Sequence, residues 1–235
     1  MPQTVLVVDV DDTLYPEKEF VYSALRATGL RAKSIFGIDG VGEVAIELFD
    51  SGNRGNLFQL ALAHCGINQP PQNQISDLIW SYRNHHPGRL QWFSDAANFV
   101  RTYIEKGGRV AAITDGYMPT QLYKAEALKL SELASPIVFS EELGRDCWKP
   151  SPRPYEVVMD RLGRDSHFVY VGDNPVKDFV SAKALGWTTV RVRRLGGEHY
   201  IRNPPDTAHA PDLEVSDFTE LAPKWEMLVK DQSSI

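Results

Sequence analysis

Short β-branched runs alternate along this chain with longer runs in which apolar residues recur every three or four positions. The first, Thr4 to Val8, is almost wholly apolar and ends at acidic and turn-forming residues, the pattern of a strand buried in a parallel sheet. The rhythm resumes at Ser94 to Lys106, where Ala96, Phe99, Val100, Tyr103 and Ile104 share a helical face that Gly107-Gly108 terminates. Strands are predicted over Arg109 to Ile113, Pro136 to Phe139, His167 to Val171 and Thr188 to Val192. Helices are predicted between them at Pro119 to Leu130, around Tyr155, Val158, Met159 and Leu162 up to Gly163, and at Val176 to Leu185 before Gly186. Gly196 to Ala210 reads as loop, Leu213 to Leu221 as a last strand and helix, and Asp231 to Ile235 as a frayed end. Strands alternating with helices pair in parallel through right-handed crossovers. The expected fold class is therefore α/β, with a doubly wound, Rossmann-like parallel sheet carrying helices on both faces.

Between Glu17 and Leu90 the alternation stops and only helical spacing is found. Val41 to Phe49, Leu57 to Ala63 and Ile75 to Tyr82 carry helix-spaced apolar residues, separated by glycine- and proline-rich joints. This predicts an inserted α-helical domain over residues 17–89, within a core of residues 1–16 and 90–235. Phe49, Phe58, Trp80 and Tyr82 are expected in the core of the insertion. His85-His86 lacks the i, i+4 spacing of a helical metal pair and is read as linker.

Composition narrows the classes. At 43% hydrophobic and 24% charged, the 235 residues resemble an ordinary globular protein. A net charge of −6 argues against nucleic acid as the main partner, which would need a basic footprint. Cys65 and Cys147 form neither a disulfide framework nor a metal-binding spacing and are read as free thiols. No run reaches membrane-span length and no signal-type segment opens the chain, so no membrane partner is expected and the expected location is cytoplasmic.

The candidate chemistry sits at strand ends. Asp9 and Asp11 follow the first strand, where ligands of open parallel sheets bind. Alone they also suit a solvated turn or a helix N-cap. Thr114 ends the strand from Arg109 and on its own suits a turn; Lys149 precedes a helix beside Pro150; Asp173 and Asp178 follow the strand ending at Val171, where capping and helix-dipole placement are the alternatives. In order and placement these residues resemble the four motifs of the haloacid dehalogenase superfamily of phosphatases and phosphotransferases. The resemblance covers Thr4 to Pro16 and Leu90 to Val192, while the insertion matches in position and helicity alone.

The resemblance implies that Asp9 is the nucleophile and forms an aspartyl phosphate, with Asp11 as general acid and base. It implies Mg²⁺ held by Asp9, Asp173, Asp178 and the backbone carbonyl of Asp11, with Asp178 acting through water or by orienting its neighbours. Thr114 and Lys149 would bind the phosphoryl group, and Thr13 would support the nucleophile's loop. The insertion would be a cap, and Arg54, between Gly52 and Gly55, its candidate substrate contact; an exposed loop arginine is the other reading. No side-chain role is assigned to Asp115, where relatives often carry Asn. The expected activity is Mg²⁺-dependent hydrolysis of a small phosphorylated metabolite, a sugar phosphate or a nucleotide, by a monomer or homodimer. A phosphomutase on the same core and a non-catalytic binding module are the alternatives.

Overall fold

The computed structural model describes residues 3–230. The expected α/β core is present: β1 (Thr4–Val8), β2 (Arg109–Thr114), β3 (Ile137–Phe139), β4 (His167–Gly172), β5 (Thr188–Val192) and β6 (Leu213–Val215) pair in parallel. Their order is β3-β2-β1-β4-β5-β6. β1 lies between β2 and β4, with Val8 opposite both Ala112 and Val171. Because connections run outward from β1 in both directions, the carboxyl ends of β1, β2 and β4 meet at the sheet's topological switch point.

The strands form where predicted because their residues are buried on both faces. Val5, Leu6, Val7 and Val8 are fully buried. On one face Val5, Val7, Ala111, Ile113 and Tyr170 join Tyr155 and Val158 of α7 (Arg153–Leu162). Trp187 stacks on Phe168 there, with centroids 4.6 Å apart and planes at 16°. On the chain's other helices, Phe99 of α5 (Ser94–Glu105) packs edge-on against Trp225 of α9 (Phe218–Lys230).

Two predicted helices have shifted ends. α6 spans Met118–Ala127, since Lys129 takes a left-handed φ of 52° and Leu130 begins a separate short turn. α8 spans Val180–Ala184, so Asp178 stands before the helix instead of in its first turns. The cause is local: Asn174 Oδ1 accepts the Val176 N–H at 3.0 Å and Asp178 Oδ2 accepts the Asn174 N–H at 2.8 Å, which stabilises a turn around Pro175 in place of a helix. The expected frayed end, Asp231 to Ile235, lies outside the described residues.

The chain divides into two compact units, Met1–Glu17 with Gln91–Ile235, and Lys18–Leu90. The second is helical. It contains most of α1 (Glu17–Phe36), with α2 (Val41–Asp50), α3 (Leu57–His64) and α4 (Gln72–Arg83). Gly29 of α1 and Gly42 of α2 let two backbones touch, because a Cβ on Gly29 would stand 2.7 Å from the Gly42 Cα. Phe58 is buried and Tyr82 packs edge-on against Phe20 and Phe58, as their spacing predicts. Trp80 departs from that expectation: it is 64% exposed, two residues past Leu78 on the opposite side of α4. Among the described residues no helix is long and apolar enough to cross a membrane.

Candidate active site

The strand β1 delivers Asp9 directly, since the Asp9 N–H continues the ladder to Val171 O at 2.8 Å. The fully buried Lys149 ammonium meets it, donating to Asp9 Oδ1 and Asp178 Oδ1 at 2.8 Å each and to the Tyr170 hydroxyl at 2.9 Å. Burial opposes that charge, but Asp178 and Asp9 outweigh it and hold Lys149 well above its ordinary value. Gly172 makes the approach of Asp178 possible. A Cβ there would lie 2.6 Å from Asp178 Oδ2, so any side chain at the end of β4 would displace that carboxylate.

Asp9, Asp173 and Asp178 each offer a carboxylate oxygen within 4.8 Å of the others. Fully ionised, three carboxylates against one ammonium, Lys149, would carry an excess of two negative charges, the charge of one divalent cation. Burial, with the neighbouring Asp178 charge adding to it and Lys149 opposing it, pushes Asp9 up to about 6. Burial and the charges of Asp178 and Asp9 push Asp173 well above its usual range. Such an all-oxygen, carboxylate-rich donor set fits a hard cation such as Mg²⁺. Of the four expected metal residues, three come together through their side chains. The Asp11 carboxylate does not join them, which leaves its backbone carbonyl as the group that the family resemblance assigns to the metal.

Asp11 is turned instead to a second buried lysine. Lys124 Nζ donates to Asp11 Oδ1 at 2.8 Å and Oδ2 at 2.9 Å, and the Tyr15 hydroxyl donates to Oδ1 at 2.6 Å. Burial works to raise the Asp11 carboxyl, but the charge and hydrogen bonds of Lys124 prevail, helped by Tyr15, and hold it below its ordinary value. Next to it, Asp12 takes a left-handed φ of 51°, a conformation Asp tolerates better than most residues. Its two oxygens accept the Glu17 N–H at 3.0 Å and the Glu198 N–H at 2.8 Å, tying this turn to the loop after β5. Thr13 is buried and its carbonyl accepts from Arg194 at 3.3 Å; its hydroxyl has no protein partner among the described residues.

Thr114 lies at the end of β2 and its hydroxyl donates to Gln121 Oε1 at 2.9 Å. The side chain of Asp115, to which no role was assigned, is the organiser of this corner. Oδ1 accepts the Ser140 hydroxyl at 2.5 Å and the Lys149 N–H at 3.1 Å, while Oδ2 accepts Lys177 Nζ at 3.0 Å. Burial opposes its charge, yet the Lys149 and Lys177 ammoniums outweigh it and hold Asp115 below its usual value. An Asp here adds no free negative charge, because it is spent on two lysine-bearing segments.

Arg54 is held within its own helical unit. Its Nη1 donates to Phe49 O at 2.5 Å and Asn53 O at 2.9 Å, and its guanidinium lies 3.8 Å from the Phe49 ring centroid.

Lys124, Tyr15, Asp115 and Lys177 escaped the sequence reading. One signal for Lys124 was present. Thr120, Gln121, Lys124, Ala125 and Leu128 fall on one buried stripe of α6 and the turn after it, so three of its inward positions are polar.

With this geometry in view, the chain can be set beside known proteins. The profile of the haloacid dehalogenase-like hydrolase family matches residues 6–192, from β1 through β5. A glyceraldehyde 3-phosphate phosphatase of Methanopyrus kandleri is 29% identical over 235 residues, covering 96% of this chain and 98% of that protein. One of the same description from Methanocaldococcus jannaschii is 29% identical over 234 residues, with the same coverage. Among solved structures, the hydrolase YfnB of Bacillus subtilis, bound to magnesium, superimposes with a TM-score of 0.66 at 18% identity, covering 97% of this chain and 99% of its own. A match that runs through the five strands β1 to β5 and takes in Asp9, Lys149 and Asp173 leaves one conclusion: the chain belongs to the haloacid dehalogenase-like hydrolases.

Proposed function

We propose that this phosphatase is a Mg²⁺-dependent phosphomonoesterase acting on a small sugar phosphate through an aspartyl-phosphate intermediate. The observation that carries this reading is the buried cluster of Asp9, Asp173 and Asp178 around Lys149, with its excess of negative charge. In this reading residues 1–16 and 90–235 are the catalytic core, residues 17–89 act as the cap, and Arg54 is its contact with the substrate. The phosphatase relatives support hydrolysis over transfer to a second substrate hydroxyl, and their substrate supports a three-carbon sugar phosphate as the first compound to try.

Asp9 attacks phosphorus with a carboxylate oxygen while the ester oxygen leaves and receives a proton from Asp11, which is protonated in the enzyme–substrate complex, where it has left Lys124 for the leaving oxygen. Water then attacks the aspartyl phosphate and gives Asp11 a proton. Asp9 and inorganic phosphate are released, so Asp11 ends as it began. Lys149 screens Asp9 from the incoming anion, and Thr114 with the backbone N–H groups after it binds phosphoryl oxygens. Mg²⁺, held by Asp9, Asp173, Asp178 and the Asp11 carbonyl, would neutralise the site and polarise the phosphoryl group.

The test is phosphate release from a panel that includes glyceraldehyde 3-phosphate, other sugar phosphates and nucleotides, with Mg²⁺ and with EDTA. Release should require Mg²⁺ and disappear in Asp9→Asn. Equal release by wild type and Asp9→Asn would sink the assignment.

A further inference from the structure

Lys124 is the one charged side chain among the buried positions of α6, beside Thr120, Gln121 and Ala125, and it is only 3% exposed. It is not a neighbour of Asp9 in the way Lys149 is. Its ammonium spans both oxygens of Asp11 at 2.8 and 2.9 Å and lies 3.5 Å from Glu17 Oε1. The fully buried Tyr15 adds a hydrogen bond to the same carboxylate at 2.6 Å. Two consequences follow. With a cation across both oxygens and a hydroxyl on one, Asp11 is held in a single orientation two residues from Asp9. A second carboxylate beside Lys124 also means that the lysine keeps a counter-ion when Asp11 turns toward a substrate. A buried ammonium left with no partner is strongly unfavourable.

We propose that Lys124 is a positioning residue for proton transfer: it places the Asp11 carboxyl, and Glu17 takes over its charge when Asp11 engages the leaving group. This rests on the reading of Asp11 as acid and base given above. Nothing in it requires Lys124 to touch substrate.

The experiment compares two aryl phosphates, 2,4-dinitrophenyl phosphate, whose leaving group needs no proton, and phenyl phosphate, whose leaving group does. For each enzyme the ratio of the two kcat/KM values is read, which is independent of how much of a variant folds. General acid catalysis is worth about 10²–10⁴-fold, so Lys124→Met should lose at least about tenfold more on phenyl phosphate than on the dinitrophenyl ester. Lys124→Arg should recover part of that ratio. Lys124→Met/Glu17→Gln restores the charge balance without restoring the clamp, and its ratio should stay low. Inhibition by inorganic phosphate should be unchanged in all three.

Equal losses on both esters would overturn the proposal, as would recovery of the ratio in the double variant. Tenfold weaker inhibition by phosphate in Lys124→Met would overturn it too, by making the lysine a phosphate ligand. Failure of the underlying reading looks different: wild type would release phosphate from neither ester, or Asp9→Asn would match it.

Discussion

Replacing Lys149 by Met keeps an unbranched side chain in a fully buried position and deletes the charge that meets Asp9 and Asp178 at 2.8 Å each. Asp9, Asp173 and Asp178 then confront one another with ligand atoms inside 4.8 Å. At an effective dielectric of about 20, two unit charges at such a spacing repel by roughly 3–4 kcal/mol. Breaking a buried pair by removing one partner costs about 3–5 kcal/mol, which agrees. In a chain of this size each kcal/mol moves Tm by about 2–4 °C, so Lys149→Met should melt about 6–20 °C below wild type in EDTA.

The same charge count predicts how Mg²⁺ acts on the variant. Without that ammonium only Lys177, already paired with Asp115, adds positive charge nearby, so a divalent cation should raise the variant's Tm by more than it raises the wild type's. Binding at a hundred times Kd gives about 2.7 kcal/mol, or a rise of about 5–10 °C, for a site of unchanged affinity. Thermal unfolding followed by circular dichroism across a Mg²⁺ titration measures both shifts. A variant melting within about 2 °C of wild type in EDTA would refute the argument. So would an equal Mg²⁺ shift in the two proteins, because the lysine and the cation would then not share a charge to neutralise.

Gly172→Ala puts a Cβ 2.6 Å from Asp178 Oδ2, and overpacking of this kind costs about 1–3 kcal/mol; phosphatase activity should fall at least tenfold through displaced Asp178 and Lys149, and wild-type activity would show that Asp178 need not stand where it does. Asp95 joins α5 to Arg194 at 2.7 Å and to the Phe218 N–H at 2.9 Å. Burial opposes its charge, but the bonds and charge of Arg194 and the Phe218 N–H hold its carboxyl below the ordinary 3.8. A depressed folded-state value gives stability that is present above pH 3.8 and lost as pH falls through the lower folded value. Asp95→Asn should therefore be about 1.5–3 kcal/mol less stable than wild type at pH 7, with the gap closing below pH 3.8 in urea titrations; a gap independent of pH would assign the loss to packing. Asp115→Ala frees Lys177 and the Lys149 N–H from a buried carboxylate, at a cost of about 2–3 kcal/mol in urea unfolding, and a loss below about 0.5 kcal/mol would show that those bonds contribute little.

What was legible in the sequence follows from where each signal resides. The strands were, because Val5 to Val8 and Thr188 to Val192 are buried on both faces and nothing but an apolar run can fill such positions. Asp9 and Asp173 were as well, since a carboxylate at a strand's carboxyl end is visible in one dimension. Asp178 kept its place in the site while its helix start did not, because an Asn–Pro turn held by side-chain bonds competes with helix and leaves no mark in apolar spacing. Trp80 was misplaced for a related reason: an aromatic residue counts as core in any tally of hydrophobicity, although only its position on α4 decides which side it faces.

The lysines show the limit most clearly, and also how it can be moved. Lys149 reaches Asp9 across 140 residues and Lys124 reaches Asp11 across 113, so no local pattern records either pair. Order along the chain singled out Lys149, because it lies between Thr114 and Asp173 in the family's sequence of motifs. Lys124 belongs to no motif. Yet a lysine on the buried stripe of an amphipathic helix must find a carboxylate, since an unpaired ammonium is too costly to bury. α6 follows the strand that neighbours β1, and two carboxylates leave the end of β1 at Asp9 and Asp11. With Asp9 matched to Lys149, Asp11 was the acid left in need of a cation, and Lys124 the cation in need of an acid. The pairing was open to charge balance and topology taken together, though to neither alone.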